Sequence, residues 1–473
     1  MVLSYEELLA RVAAPRGTGR PVREPATGDA LAEAPEHGVD DLETAVRTAR
    51  AAQPAWDALG HEGRIRVLNQ VADHLQDNAE ALAQLLAREQ GKPLNGQGAR
   101  FEVGGTIAWL RATAATPLEP EVVVEDESQR TELVYRPLGV VAAIGPWNWP
   151  LMIGMWQIAP SLRMGNAVVV KPSEYVPLSV LALVSLVNDV LPPDVLQAVA
   201  GGPDVGARLT AHPGIAKIMF TGSTATGRRI VESSAKNLAR LTLELGGNDA
   251  GIVLPDAEPD GIVEGLFWGA FLNTGMTCAA LKRLYVHESL YDRVVDGLAA
   301  YAEKVPMGRS LDEDSLLGPV QNRAQFEVVE RLVEDAKARG ARIVTGGRPA
   351  TELGDLFYPI TLVADIADGA ALVDEEQFGP ALPIIRYSDV EEAIASANRL
   401  DAGLGASVWT SDVAGARAVV DRLDAGTVWV NQHGMVHPFA PFGGVKASGY
   451  GLEFGVEGLK SVAAPKAITT PVG

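Results

Sequence analysis

Cysteine is almost missing from this chain, whose 473 residues carry one, Cys278. A single thiol excludes an intramolecular disulfide framework and a cysteine-based zinc site, and it suits a reducing compartment. Cations are also scarce, with 40 Lys and Arg against 60 Asp and Glu and a formal charge of −20. Such a surface repels phosphate backbones and anionic membranes, so nucleic acid is not an expected partner and any nucleotide must be held in a local pocket. No apolar run approaches the roughly 18 residues of a membrane span. The opening MVLSYEELLARVAAPRG carries acids where a signal peptide carries basic and then apolar residues. A cytoplasmic protein with no membrane partner is the expectation.

Periodicity of glycine and proline is absent too: the 49 Gly and 30 Pro are scattered, and no low-complexity or Ser-rich linker interrupts the chain. Collagen-like and disordered readings fall away. What remains is ordinary globular usage, 47 % hydrophobic and 21 % charged residues, over a length that implies about two or three domains.

From about 40 to 118 apolar residues recur at helical spacing, as in LETAVRTARAAQPAWDAL and RIRVLNQVADHLQDNAEALAQLLAREQGK. Around 119–137, EPEVVVEDESQRTELVYRPLG alternates β-branched and charged residues, the pattern of a hairpin too polar to be interior. From 138 to about 254 short apolar strands (VVAAIG, NAVVVK, IAKIMF, RLTLEL) alternate with amphipathic helices. That is the signature of a parallel sheet covered on both faces, which binds ligands at its carboxyl ends. A second α/β series begins near 259, with strands ARIVTGG, ALPIIRY, GASVWT and GTVWVN. Two facing α/β lobes suggest a cleft enzyme.

Four strand ends carry candidate chemistry. IAKIMF runs into TGSTATGRR, where Gly222 and Gly227 frame a helix start that either attracts phosphate or is a plain strand-to-helix turn. In VVVKPSEYVP, Lys171 and Glu174 suit ribose hydroxyls or are surface charges before the next helix. In IGPWNWPL two Trp flank Asn148, whose amide is an oxyanion donor or a shielded turn residue. In LTLELGGND, Glu244 lies in an apolar run that should raise its pKa toward that of a general base; it could instead be the acid that follows a dinucleotide loop. Cys278, in NTGMTCAALKR, is either a small packing residue or a nucleophile.

Together PWNWP, KPSE, FTGS, LELGG, NTGMTCAA, EEQFGP and PFGGVKASGYG stand in the order found in the aldehyde dehydrogenase superfamily, and the chain resembles that superfamily from about residue 40 to 460. The resemblance implies a Rossmann-type coenzyme domain (1–118 and 138–245), an α/β catalytic domain (246–435) and a β-hairpin oligomerisation arm (119–137 and 459–473). Segment 436–458 would carry tunnel residues and return to the coenzyme domain. It further implies Cys278 as nucleophile, Asn148 as oxyanion donor with the Cys278 backbone N–H, and Glu244 as general base. Lys171, Glu174, Trp147, Gly222, Ser223, Glu376 and Phe378 would hold NAD, with NADP left open by Lys171; no metal is implied. Ile153, Trp156, Leu272, Met276 and Phe442, with Val436, would line an apolar aldehyde tunnel, and the protein would be a homodimer or homotetramer.

The expected reaction is oxidation of an apolar aldehyde to a carboxylic acid through a thiohemiacetal and a thioester on Cys278. Two positions depart from the pattern: Met276 stands where Gln is usual, and Trp149 where Phe is usual. Both bear on the pocket wall. The competing readings are a coenzyme A-acylating relative, which generally lacks the Glu244 base, and a non-catalytic binding protein on the same fold. A Cys-His hydrolase is a third, although all 7 His lie outside the nucleophile motif.

Overall fold

The computed structural model describes residues 2–472. Two twisted α/β sheets and one projecting three-stranded sheet organise it, together with two short two-stranded pairings. In the first large sheet the spatial order is Gly449–Tyr450, Arg240–Glu244, Lys217–Thr221, Val140–Ile144, Ala167–Lys171, Leu196–Ala198. The last five are mutually parallel, and Gly449–Tyr450 adds antiparallel to Arg240–Glu244. The chain enters in the middle at Val140–Ile144, winds outward to Leu196–Ala198, then restarts on the other side. The crevice where winding reverses therefore opens beyond Ile144 and Thr221, the place where a doubly wound sheet binds ligands.

Sequence explains the layering. Strands Val140–Ile144 and Ala167–Lys171 are buried at every position, as strands covered on both faces must be. One face packs on Val39–Asp57 through Leu42, Val46 and Ala49. The other packs on Pro150–Arg163 and Pro177–Asn188, both with Pro in the first turn, where the missing N–H costs nothing.

The second sheet runs Arg342–Ile343, Thr361–Ile366, Ala381–Tyr387, Leu281–His287, Asp249–Val253, Gly405–Trp409, Thr427–Val430, parallel except at its first strand. Three of these, Asp249–Val253, Leu281–His287 and Thr361–Ile366, are absent from the strands read in the sequence. Asp249–Val253 also corrects the extent of the first α/β series, which the apolar pattern carries to about 254. After Gly246 and Gly247 the chain crosses over and pairs with Leu281–His287 and Gly405–Trp409 instead. The segment ARIVTGG contributes only Arg342–Ile343.

Around 119–137 the polar hairpin forms, Glu121–Glu125 against Gln129–Pro137, and Ala463–Pro471 adds along its other side. Val122, Val123 and Val124 of its outer strand are exposed at 45, 52 and 41 %. No helix among the described residues is long and apolar enough to cross a membrane. Nor do those residues contain a group of three or more His, Cys, Asp or Glu that could hold a metal.

Candidate active site

One cleft of about 820 Å³ gathers residues from all the strand ends singled out above. Asn148, Glu244 and Cys278 line it, as do Trp147, Lys171, Glu174, Gly222, Ser223, Glu376 and Phe378.

Asn148 sits in the turn joining Val140–Ile144 to Pro150–Arg163 and is 3 % exposed. Its Nδ2 donates to the Met276 carbonyl at 3.0 Å, which uses one of two amide protons and leaves the other for a ligand. Its own carbonyl accepts from Lys92 Nζ at 2.8 Å and from Asn273 Nδ2 at 2.9 Å. Lys92 pairs with Glu102 at 2.5 Å, both side chains sealed from solvent, and stands 3.6 Å over the Trp149 ring. Glu102 in turn accepts the Leu151 and Met152 N–H groups at the start of Pro150–Arg163. Burial pushes Lys92 down to about 8, against the pull of Glu102.

The segment before Cys278 is backbone-strained. Asn273 and Thr274 hold φ of 52° and 57°, and Gly275 has φ +76° with its α-carbon so near Gly379 that a Cβ would lie 2.3 Å from the Gly379 carbonyl. Such conformations cost about 1–3 kcal/mol each for non-glycine residues. Asn273 Nδ2, bonded to Asn148, and Thr274 Oγ1, which exchanges hydrogen bonds with the Gly318 backbone, hold them. Trp149 Nε1 donates to Thr277 Oγ1 at 3.0 Å, so the unusual Trp braces the turn that presents the thiol.

Cys278 is half-buried. Burial, with Asp249 and Glu244 adding, pushes its thiol up to about 12, while Lys282 and the Ala279 N–H pull the other way. Glu244 ends its strand 4 % exposed, and neither carboxyl oxygen has a hydrogen-bond partner. Burial first, then the Glu453 carboxyl, raises it well above the usual carboxylate range. Glu453 is itself pushed up to about 8 by burial, with Lys217 opposing. A buried carboxyl with no partner, facing a cleft, holds no ion pair, and once ionised it is a stronger proton acceptor than an ordinary carboxylate.

The rest of the cleft suits a nucleotide. Ser223 caps helix Thr224–Ser234, accepting from the Thr226 N–H at 3.3 Å. Gly227 lies so close to Leu245 that a Cβ would stand 2.7 Å away, which draws the helix start onto the LELGG turn. Lys171 is shifted down by burial with Glu174 opposing, and Nζ reaches only the Pro172 carbonyl at 3.2 Å. At the other end Trp147 and Phe378 meet edge to face, centroids 5.4 Å apart, beside Glu376.

Of the tunnel candidates, Ile153, Trp156, Leu272 and Phe442 join Trp149, Phe454, Trp109 and Val436 in an apolar cluster that includes Cys278. Met276 does not. Its side chain is fully buried in the core of the second lobe, so the tunnel-lining expectation is corrected and only its carbonyl serves the site. Sequence reasoning missed Lys92, Glu102, Asn273, Lys282, Phe454 and Glu453. Glu453 stands two residues after the PFGGVKASGYG motif, and Lys282 four residues after the thiol.

Residues 12–468 match the model of the aldehyde dehydrogenase family. Aldehyde dehydrogenase LUC3 of a Fusarium species is 39 % identical over 446 residues, 94 % of each chain. The phenylacetaldehyde dehydrogenase of Pseudomonas fluorescens is 40 % identical over 457 residues, 93 % of this chain and 90 % of that one. Among solved structures, the NAD+ complex of an aldehyde dehydrogenase from Bacillus cereus superposes with TM-score 0.92 at 34 % identity, covering 98 % of this chain and 95 % of that one.

Proposed function

This chain belongs to the aldehyde dehydrogenase family, and on that premise we propose that it oxidises an apolar aldehyde to the acid with Cys278 as nucleophile and Glu244 as deacylation base. As a member it is an oxidoreductase acting on aldehydes. The observation that carries the finer reading is the meeting of Cys278, Asn148 and an unpartnered, buried Glu244 on one cleft wall.

Cys278 Sγ attacks the aldehyde carbonyl, and its proton leaves to Glu244 or to water. The free Asn148 Nδ2 proton and the Cys278 backbone N–H receive the oxyanion; loss of such a donor costs roughly 100–1,000-fold in rate. A bound nicotinamide coenzyme supplies the hydride acceptor. Glu244 then takes a proton from the water that hydrolyses the Cys278 thioester, and the carboxylic acid leaves.

The donor set fits a dinucleotide: Lys171 and Glu174 for adenosine ribose hydroxyls, the Ser223 helix start for phosphate, Trp147, Glu376 and Phe378 for the nicotinamide end. NAD is favoured because the Glu174 carboxylate repels a 2′-phosphate, while Lys171 keeps NADP open. The apolar cluster against Cys278 favours an apolar aldehyde. We assign 1–118 with 138–245 to coenzyme binding, 246–435 to catalysis, 436–458 to the tunnel and the return to the coenzyme sheet, and 119–137 with 459–473 to an arm of a homodimer or homotetramer. The lone thiol suits a reducing cytoplasm.

Glu244→Gln tests the mechanism. Rapid mixing with NAD and aldehyde should give a burst of NADH approaching one per chain, then slow turnover, with an acyl adduct on Cys278 in the intact mass. Wild-type steady-state turnover with no adduct would remove Glu244 as the base and restore the coenzyme A-acylating reading.

A further inference from the structure

Lys282 is the second residue of strand Leu281–His287 and is 1 % exposed. A buried ammonium is tolerated only where its protons find acceptors. All three do here: the Cys278 carbonyl at 2.5 Å, Glu376 Oε1 at 2.7 Å and the Gly247 carbonyl at 3.1 Å. The acceptors come from three separate segments: the turn that presents the thiol, the turn after Glu244, and EEQFGP. Glu376 alone among them carries a charge. It also accepts the Gly247 N–H at 3.3 Å, and with its side chain 29 % exposed it faces the cleft.

We propose that Lys282 is a positioning residue that couples Glu376 to the Cys278 thiol. While Glu376 is free its carboxylate offsets the lysine's charge, and ribose hydroxyls donating to that carboxylate release the charge to favour the thiolate. The step is loss of a proton only: the S–H bond breaks, the proton passes to water or Glu244, and no bond to Lys282 forms. Lys282 is the largest influence drawing the thiol's pKa down. The other charged groups that bear on the thiol oppose it: Glu244, and Asp249, whose carboxylate has no hydrogen-bond donor and stands 3.6 Å from His433 Nε2. The ligand half of the proposal rests on Glu376 meeting the coenzyme; the Lys282 half does not.

The single cysteine makes the test clean, because iodoacetamide uptake measured by intact mass reports Cys278 alone, with or without turnover. In the ligand-free protein Lys282→Met should slow labelling at neutral pH about tenfold, moving the rising limb of its pH profile up by about one unit. Lys282→Arg should keep most of the native rate. Glu376→Gln should speed labelling in the native background and leave Lys282→Met unchanged. ADP-ribose, which has the hydroxyls without the cationic ring, should speed native labelling and not that of Lys282→Met. An unshifted pH limb in Lys282→Met, or equal responses to Glu376→Gln or ADP-ribose with and without Lys282, would overturn the proposal. If Lys282→Met does not fold, Glu376→Gln decides alone, and an unchanged native rate sinks it. Failure of the NADH burst would instead strike the proposed reaction and leave these labelling rates as they are.

Discussion

Lys92→Met isolates what holds Asn148, the proposed oxyanion donor, in place. Methionine keeps the volume and removes the charge, so Glu102 loses its 2.5 Å partner, the Asn148 carbonyl loses a 2.8 Å donor and Trp149 loses a cation 3.6 Å from its ring. Breaking one side of a buried pair costs about 3–5 kcal/mol. The lower end is expected, because Glu102 keeps the Leu151 and Met152 N–H groups and Asn148 keeps Asn273. Kinetically, a donor displaced by a fraction of an ångström should cost about 10- to 100-fold in the NADH burst rate, less than the roughly 100–1,000-fold expected for Asn148→Ala.

The decisive assay is the double mutant. If Lys92 acts through Asn148, Lys92→Met should cost little in the Asn148→Ala background, an interaction term nearly as large as the single effect. Burst rates for the four proteins, at a temperature where thermal inactivation shows all of them intact, supply the cycle. Multiplicative losses would refute the reasoning and leave Lys92 as a stability residue only.

Glu453→Gln should turn a two-step rise of kcat with pH into one step at lower pH, because the second raised carboxyl no longer opposes ionisation of Glu244; a limb that stays or moves up contradicts this. The same change bears on stability. A carboxyl at about 8 in the folded chain against a reference of 4.5 keeps its proton while the unfolded chain loses it, so this contribution falls as pH rises from about 4.5 to about 8, and Glu453→Gln should flatten that slope in thermal inactivation profiles. Trp149→Phe removes the Thr277 hydrogen bond and should cost about 1 kcal/mol; the same loss added on top of Thr277→Val would show that the pair is not coupled. Exposed Val122, Val123 and Val124 on the outer strand of the hairpin predict association with a second copy, and light scattering that found only a 49.9 kDa particle at micromolar concentration would dismiss it.

How much of this could be read beforehand follows from which forces are local. Strands such as Val140–Ile144 and Ala167–Lys171 are unbroken apolar runs, so burial on both faces is written in them. Strand Asp249–Val253 begins with a buried aspartate and contains Gly251, which weakens its signal, and its change of sheet depends on partners more than 25 residues away in sequence. The candidate site divides the same way. Asn148, Glu244 and Cys278 stand in short motifs at strand ends or in turns, whereas Lys92 and Lys282 read as ordinary solvated cations. Only the folded chain brings Glu102 and the Asn148 carbonyl to one, and Gly247, Cys278 and Glu376 to the other. Met276 misleads in the opposite sense: two residues from the thiol, its side chain points into the second core.

The charge state of the resting cleft ties these residues together. The Cys278 thiol is pushed up to about 12, chiefly by burial, which favours the protonated form in the free protein. Glu244, raised by burial and by Glu453, holds its proton well past the usual carboxylate range. Burial thus favours the neutral form of both the Cys278 thiol and the Glu244 carboxyl, and the cation beside them, Lys282, is paired with Glu376. A thiol kept protonated reacts slowly with oxidants, which matters in a chain with no second cysteine to trap a sulfenic acid as a disulfide. Binding that changes the electrostatics acts on this balance: each unit by which a ligand lowers the thiol's pKa raises the thiolate population tenfold, about 1.4 kcal/mol. The groups able to respond are those a ligand can reach, Glu376 on one side of Lys282 and Glu244 on the other side of the thiol. On the proposal above, a ligand that occupies Glu376 frees Lys282 to favour the thiolate, and it does so with side chains that packing has already fixed.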